Sequence, residues 1–281
     1  RFNTGSAVPF AALNPAAVWD IPAEELACYP NLKAILILGA GGDFLLKDAR
    51  LPKVPIVRLV DETVVQDMTQ YCLYWVTHYY RHFDSYARQQ RGHQWQRKEY
   101  PPMSDYRVGV LGLGAIGSQV ALSLTDAGYT VSAWVRTARE TDGLTLFCGA
   151  DEFSAFMSNL DILINVLPLT PDTNAFLNVE RLSHLPRGAK VINISRGAVI
   201  DEQALKTLLD TEHLGGAALD VFAKEPLPSQ SWMWQHPKVN VTPHSSGQTF
   251  ARSAAKSLVK NIHRLKRGEA PFPLFDRKSG Y

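Results

Sequence analysis

The chain has 281 residues, 46% hydrophobic and 20% charged, with a formal net charge of +2. This is enough apolar material for one large or two ordinary domains. The charge is too small for a nucleic-acid or membrane-surface partner, so small anionic molecules are the fitting ligands. Cys28, Cys72 and Cys148 stand far apart, with no CxxC pair and no cysteine/histidine cluster, which predicts reduced thiols in the cytoplasm and no metal site. No apolar run approaches the roughly 18 residues needed to span a bilayer, and nothing at the start reads as an export signal.

The stretch from Arg1 to Pro15 reads as polar loop running into a short apolar segment, and further residues are expected ahead of Arg1. Two apolar bursts follow, Leu32 to Asp43 closed by glycines and Val54 to Val60 after a proline-bounded loop; both read as buried parallel strands. From Thr63 to Gln90 apolar residues recur at three-and-four spacing (Val64, Val65, Met68, Tyr71, Cys72, Trp75, Tyr79, Phe83), which predicts one long helix stopped at Gly92. Its aromatic load exceeds what one face needs, and core packing and a dimer contact both remain open.

After Pro101-Pro102 the rhythm becomes regular. Strands are predicted at Arg107 to Gly112, Thr130 to Val135, Asp161 to Pro168, Ala189 to Ser195, Gly215 to Phe222 and Lys238 to His244. Helices are predicted from Ala115 to Gly128, near Asp151 to Asn159, from Glu202 to Leu209 and from Thr249 to Lys266. Such alternation argues for an α/β protein with doubly wound parallel sheets. The predicted division is 1–71 with 250–281 in one domain and 72–249 in the other, the last helix crossing back toward the first region.

Gly112, Gly114 and Gly117 form GxGxxG where a strand passes into a helix. The first glycine permits the tight turn, the second lets backbone approach a pyrophosphate, and the third lets helix pack on strand, with helix N-terminal amides facing the anion. A ribose-binding acid is expected about 20 residues further on, but the second strand ends Trp134-Val135-Arg136-Thr137. Val135 cannot accept from a ribose 2′-hydroxyl, whereas Arg136, with Thr137 and Arg139 nearby, suits a 2′-phosphate. NADP(H) is therefore expected over NAD(H), with NAD(H) still usable. Three further segments place Arg196, then Asp220 and Glu225, then His244 just after strands, where open α/β sheets form their ligand crevice.

The segments ILGAGGD, GLGAIG, NVLPLTPDT, NISRGAVIDE, ALDVFAKEPLP and HPKVNVTPH resemble, in order and spacing, the signature segments of the D-2-hydroxyacid dehydrogenases, from about Trp19 to the C-terminus. The arginine after the second strand, the aromatic helix with YRHFDSY and the DRKSGY ending look most like the glyoxylate/hydroxypyruvate reductase branch. The resemblance implies a Rossmann dinucleotide-binding domain beside a smaller flavodoxin-like substrate domain, whose N-terminal strand and helix are missing from this chain, leaving an exposed sheet edge.

It also implies a catalytic triplet of Arg196, Glu225 and His244. Reduction of a keto carbon by hydride from a nicotinamide puts charge on the keto oxygen, which must receive a proton. His244 is the expected general acid. Glu225 would hold its tautomer and favour the imidazolium, and Arg196 would polarise the keto oxygen and grip the substrate carboxylate. Cofactor contacts are expected at Gly112, Gly114, Ala115, Ile116, Gly117, Arg136, Thr137, Leu167, Pro168, Asp220 and Ser246. Substrate contacts are expected at Ala40, Gly41, Arg196 and His244, with Arg58 and Trp19 as further candidates. The family usually has valine where this chain has Gly42, which predicts a looser loop.

The expected activity is thus reduction of small 2-oxo acids such as glyoxylate and hydroxypyruvate, in a cytoplasmic homodimer with no metal, nucleic acid or membrane partner. Two alternatives stay open: a dehydrogenase of phenylpyruvate or phosphoglycerate type, and a dinucleotide-sensing regulator of the C-terminal-binding-protein kind, which shares the architecture and the triplet.

Overall fold

In the computed structural model, residues 15–18, 21–39, 41–42, 50–59, 61–138, 141 and 143–277 are described. The chain divides into two compact units, Arg1–Val64 with Gln248–Tyr281, and Val65–Gly247. The first crossing falls in the opening turn of a helix, not near Tyr71 where the pattern placed it.

The larger unit is built on a seven-stranded sheet whose paired strands all run parallel. Its strands are β4 (Arg107–Leu111), β5 (Thr130–Val135), β6 (Thr145–Cys148), β7 (Ile162–Asn165), β8 (Lys190–Asn193), β9 (Gly216–Leu219) and β10 (Val239–Val241). The spatial order β10-β9-β8-β7-β4-β5-β6 reverses direction beside β4, and the crevice of a doubly wound sheet opens at such a switch point. The inner strands β4, β7, β8 and β9 are covered on both faces, so Val108, Val110, Ile162, Leu163, Val191 and Ala217 are wholly buried and the runs read as continuous apolar bursts instead of alternating. Each large aliphatic side chain buried in this way contributes about 1.5–3 kcal/mol. That anchorage holds the strand ends still enough to carry a site.

Helices α2 (Glu62–Tyr80), α3 (Phe83–Arg91), α4 (Ala115–Asp126), α5 (Phe153–Met157), α6 (Val179–Ser183) and α7 (Glu202–Asp210) accompany this sheet. The single long helix predicted from Thr63 to Gln90 is in fact α2 and α3. The ladder breaks at His82, which takes a left-handed φ of 56° while its ring Nε2 meets the carbonyl of Glu99 at 3.0 Å. Apolar spacing runs on through the break because it reports a face and is blind to one residue's backbone. The aromatic stripe is divided between two faces within α2, where Trp75, Tyr79 and Tyr80 are buried and Tyr74 is exposed, and Phe83 at the start of α3 is exposed as well. The pattern also missed β6 and α6, which are short enough to show no clear period.

The smaller unit carries a parallel sheet of β1 (Pro15–Val18), β2 (Ala34–Ile37) and β3 (Ile56–Val57), with helices α1 (Ala23–Ala27) and α8 (Ala251–Lys266). No strand was predicted before Leu32, because four small residues give too little apolar signal, yet β1 pairs with β2 along its full length. Phe275 joins the core of Ile35, Ile37 and Ile56. Gly42 is buried here, and a Cβ on it would meet Ile37 Cδ1 at 2.6 Å and the Phe275 ring at 3.0 Å. Gly42 is thus closely packed, in place of the looser loop expected from the valine comparison, and a side chain there would need Ile37 and Phe275 to shift.

Candidate active site

The connection from β4 to α4 is three residues long. Gly112 takes a φ of 101°, which side chains disfavour. A Cβ on Gly117 would stand 2.0 Å from the Gly112 carbonyl oxygen, so only a glycine lets the helix close on the strand. Gly114 is the opposite case: a Cβ there would meet nothing within 4 Å, because the residue faces open space at the N-terminus of a 12-residue helix. The amides of Ala115 and Ile116 belong to a first turn that has no intrahelical acceptor. Close packing behind and open space in front, under a helix N-terminus, fit a dinucleotide pyrophosphate.

One strand over, β5 ends at the buried Val135. Arg136 and Thr137 are exposed just beyond it, and Arg136 Nη1 lies 3.7 Å from the Asp172 carboxylate. Arg139 lies outside the described residues. Leu167 and Pro168 follow β7 in a loop braced by its own threonines: Thr173 Oγ1 donates to the Pro168 carbonyl at 2.6 Å, and the Thr170 amide donates to Thr173 Oγ1 at 2.7 Å.

The other half of the sheet edge carries the titratable groups. Glu225 Oε1 accepts the Phe222 amide at 2.9 Å, which turns Oε2 onto His244 Nδ1 at 2.7 Å. With a carboxylate on Nδ1, that nitrogen is the donor and Nε2 is left to meet a reacting atom. His244 is half-exposed and has a left-handed φ of 50°. Such a conformation costs about 1–3 kcal/mol in a residue with a Cβ and persists only when its surroundings enforce it. Here the enforcing group is Asp220, fully buried one step past β9. Its backbone carbonyl accepts the His244 amide at 2.9 Å, Oδ1 accepts the Thr242 hydroxyl (2.6 Å) and the Ser245 amide (2.8 Å), and Oδ2 accepts the Ser246 amide (2.9 Å).

Because Thr242 gives its proton to Asp220, the Tyr71 hydroxyl, 2.8 Å from Thr242 Oγ1, is the donor in that contact. Burial pushes the Tyr71 phenol well above its ordinary value and keeps it a donor. One residue of the aromatic helix α2 thus reaches the histidine loop through two hydroxyls.

Arg196 stands beyond β8, with Nη1 donating to the Ser195 carbonyl at 2.8 Å. The next residue explains the Ser-Arg-Gly triplet: a Cβ on Gly197 would lie 1.8 Å from the Phe222 carbonyl carbon. The arginine loop therefore lies backbone-to-backbone against the segment that leads into Glu225.

Residues 73–246 match the family described as "D-isomer specific 2-hydroxyacid dehydrogenase, NAD binding domain". The chain belongs to this family. It is 38% identical over 272 residues to "Glyoxylate/hydroxypyruvate reductase A" of Serratia proteamaculans, covering 95% of this chain and 87% of the relative. Among solved structures it resembles a D-isomer specific 2-hydroxyacid dehydrogenase from Xanthobacter autotrophicus in complex with NADPH and MES, with a TM-score of 0.96 and 39% identity over 100% of this chain and 90% of that one. It also resembles an NADPH-dependent glyoxylate/hydroxypyruvate reductase from Sinorhizobium meliloti in complex with NADP and sulfate, with a TM-score of 0.93 and 32% identity over 96% and 87%.

Within this 2-hydroxyacid dehydrogenase, the residues expected at the dinucleotide end lie along the C-terminal edge of the larger sheet, and Glu225 and His244 are in contact. Arg58, half-buried, and Gly41 lie in the smaller unit, and Ala40 and Trp19 lie outside the described residues. Among the described residues no group of histidine, cysteine or carboxylate side chains could hold a metal. Sequence reasoning missed Tyr71, Thr242, Asn165, Asn193 and Ser195. The available signal was an asparagine closing each of the apolar runs ILIN and VIN.

Proposed function

We propose that this dehydrogenase reduces small 2-oxo acids, glyoxylate and hydroxypyruvate first among them, to their 2-hydroxy acids with NADPH. The observation that carries the reading is the 2.7 Å contact between Glu225 and His244 at the edge of the same sheet that bears the glycine turn. The similarity to reductases named for these substrates and for NADPH supports it.

Gly112, Gly114 and Gly117 with the amides of Ala115 and Ile116 would hold the pyrophosphate, and Arg136 and Thr137 the 2′-phosphate. Leu167, Pro168, Asp220 and Ser246 would border the nicotinamide end. Bound NADPH supplies a hydride to the keto carbon. His244 Nε2 delivers the proton that the keto oxygen needs, Glu225 holds the ring so that Nε2 faces outward, and the Arg196 fork stabilises charge on the keto oxygen and carboxylate.

We further propose a cytoplasmic homodimer. All three cysteines are free, and no described helix is long and apolar enough to cross a membrane. Helix α3 buries none of its residues, and Tyr74, Phe83 and the fully exposed Trp95 leave aromatic surface around it for a second copy. Sedimentation velocity tests the dimer.

Steady-state rates with glyoxylate, hydroxypyruvate, pyruvate and phenylpyruvate, each with NADPH and NADH, test the activity. The highest kcat/KM is expected for glyoxylate or hydroxypyruvate with NADPH. A maximum with phenylpyruvate, or no turnover of any of the four, would overturn the assignment.

A further inference from the structure

In the larger sheet, the last residues of β4, β5, β9 and β10 are Leu111, Val135, Leu219 and Val241, all apolar. The two strands between β4 and β9 end differently. β7 closes on Asn165 and β8 on Asn193, directly paired in register, 0% and 1% exposed. These are the strands that lead into the Leu167–Pro168 loop and into Arg196.

The two amides bond to each other and to both loops. Asn165 Oδ1 accepts the Leu167 amide at 3.2 Å, and its Nδ2 donates to Asn193 Oδ1 at 3.0 Å and to Ser195 Oγ at 3.1 Å. Asn193 Oδ1 also accepts the Ser195 amide at 3.2 Å, while Nδ2 donates to the Arg196 carbonyl at 3.2 Å. Backbone groups at both ends fix the orientation of the pair: a backbone N–H can meet only an amide oxygen, and a backbone carbonyl only an amide nitrogen. Neither side chain can flip without losing its loop contact. A core that needed only filling would use leucine here, as at the neighbouring strand ends, since buried amides cost free energy unless fully bonded.

We propose that Asn165 and Asn193 are positioning residues that couple the dinucleotide loop to the Arg196 loop, so that a dinucleotide seated on Leu167–Pro168 strengthens the grip on the 2-oxo acid. The inference rests on the proposed activity, because it needs both ligands at this edge. A dinucleotide that orders the Leu167 amide orders Asn165. The amide-to-amide bond passes that order to Asn193, and Asn193 holds the Arg196 carbonyl, fixing the backbone from whose Cα the guanidinium side chain projects.

The test is a binding linkage on the full chain. The Kd for NADPH is measured with and without saturating oxamate, an unreactive 2-oxo acid analogue, and the ratio of the two is the coupling factor. The wild-type factor is expected to be at least about fivefold, the lower end for coupled sites. Asn165→Ser and Asn193→Ser each keep a hydroxyl able to make the local bond two residues on, but neither reaches across the strands. In both variants the factor should fall below about twofold while the Kd for NADPH alone changes less than about threefold. A side chain that served only the fold would lower the melting temperature and leave the factor in place. An unchanged factor in both variants overturns the proposal. Failure of both to fold overturns it as well, because the amides would then serve the core. Wild-type protein that binds both ligands with no coupling overturns this inference alone, and wild-type protein that binds neither overturns the proposed activity.

Discussion

Under the proposed function, the two halves of the larger sheet's edge would recognise their ligands by different means. At β4 and β5 the chemistry is in the backbone: two glycines allow close packing, a third leaves open space, and a helix supplies its amides. At β8, β9 and β10 it is in side chains, and each of these is held by a hydrogen bond to backbone, Glu225 by the Phe222 amide, the histidine loop by Asp220, and Arg196 by the Ser195 carbonyl. The lesson is that the first half is broken by adding atoms and the second by removing them.

The largest expected effect is on the side-chain half. His244→Ala should lower kcat by about 10²–10⁴-fold, the range of general acid catalysis, with NADPH binding and melting temperature kept. Near-wild-type turnover would remove His244 from the reaction and dissolve the contrast.

On the backbone half, a single methyl separates packing from ligand approach. Gly117→Ala places a carbon where the Gly112 oxygen already sits, and should cost about 1–3 kcal/mol of stability. Gly114→Ala enters open space, so it should melt with the wild type and yet bind NADPH more weakly. Equal melting temperatures for the two variants would show that Gly117 is not needed for closure.

Arg136 is where the backbone half borrows a side chain. A charge-assisted contact with a 2′-phosphate is worth about 1.5–3 kcal/mol, or one to two decades in affinity. Val135→Asp with Arg136→Ala should therefore turn NADPH preference into NADH preference with kcat broadly kept. Asp172, 3.7 Å from Arg136, already offsets part of its charge, so Asp172→Asn should sharpen NADPH preference by a few fold. If the unmodified protein has equal or higher kcat/KM with NADH, Arg136 is only surface charge.

The smallest effect lies away from both halves. Burial among Trp75, Tyr79 and Phe83 holds His78 below its ordinary value, partly opposed by Asp84. The unfolded chain then binds the proton more readily, so stability is complete above about pH 6.5 and declines as pH falls through that value. His78→Phe should flatten the fall of melting temperature between about pH 7 and pH 5, and an identical slope would show that the buried ring is not the cause.

By itself the sequence determined the strand-and-helix rhythm of the larger unit, the glycine turn, the missing acid after Trp134 and the place of Arg196, Glu225 and His244 just after strands. Each of these depends on local backbone rules or on a short run of residues read against its neighbours. Only the tertiary structure decided that α2 ends before His82, that Pro15–Val18 is a strand, that Gly42 is closely packed and Gly197 is wanted for packing, and that Asn165 meets Asn193. Those outcomes depend on atoms from segments distant in the chain arriving within a few ångströms of one another: Phe275 against Gly42, Phe222 against Gly197, and Glu225 on His244 across 19 residues. Periodicity carries no information about such meetings, because a pattern records which face is apolar and not what will be packed against it.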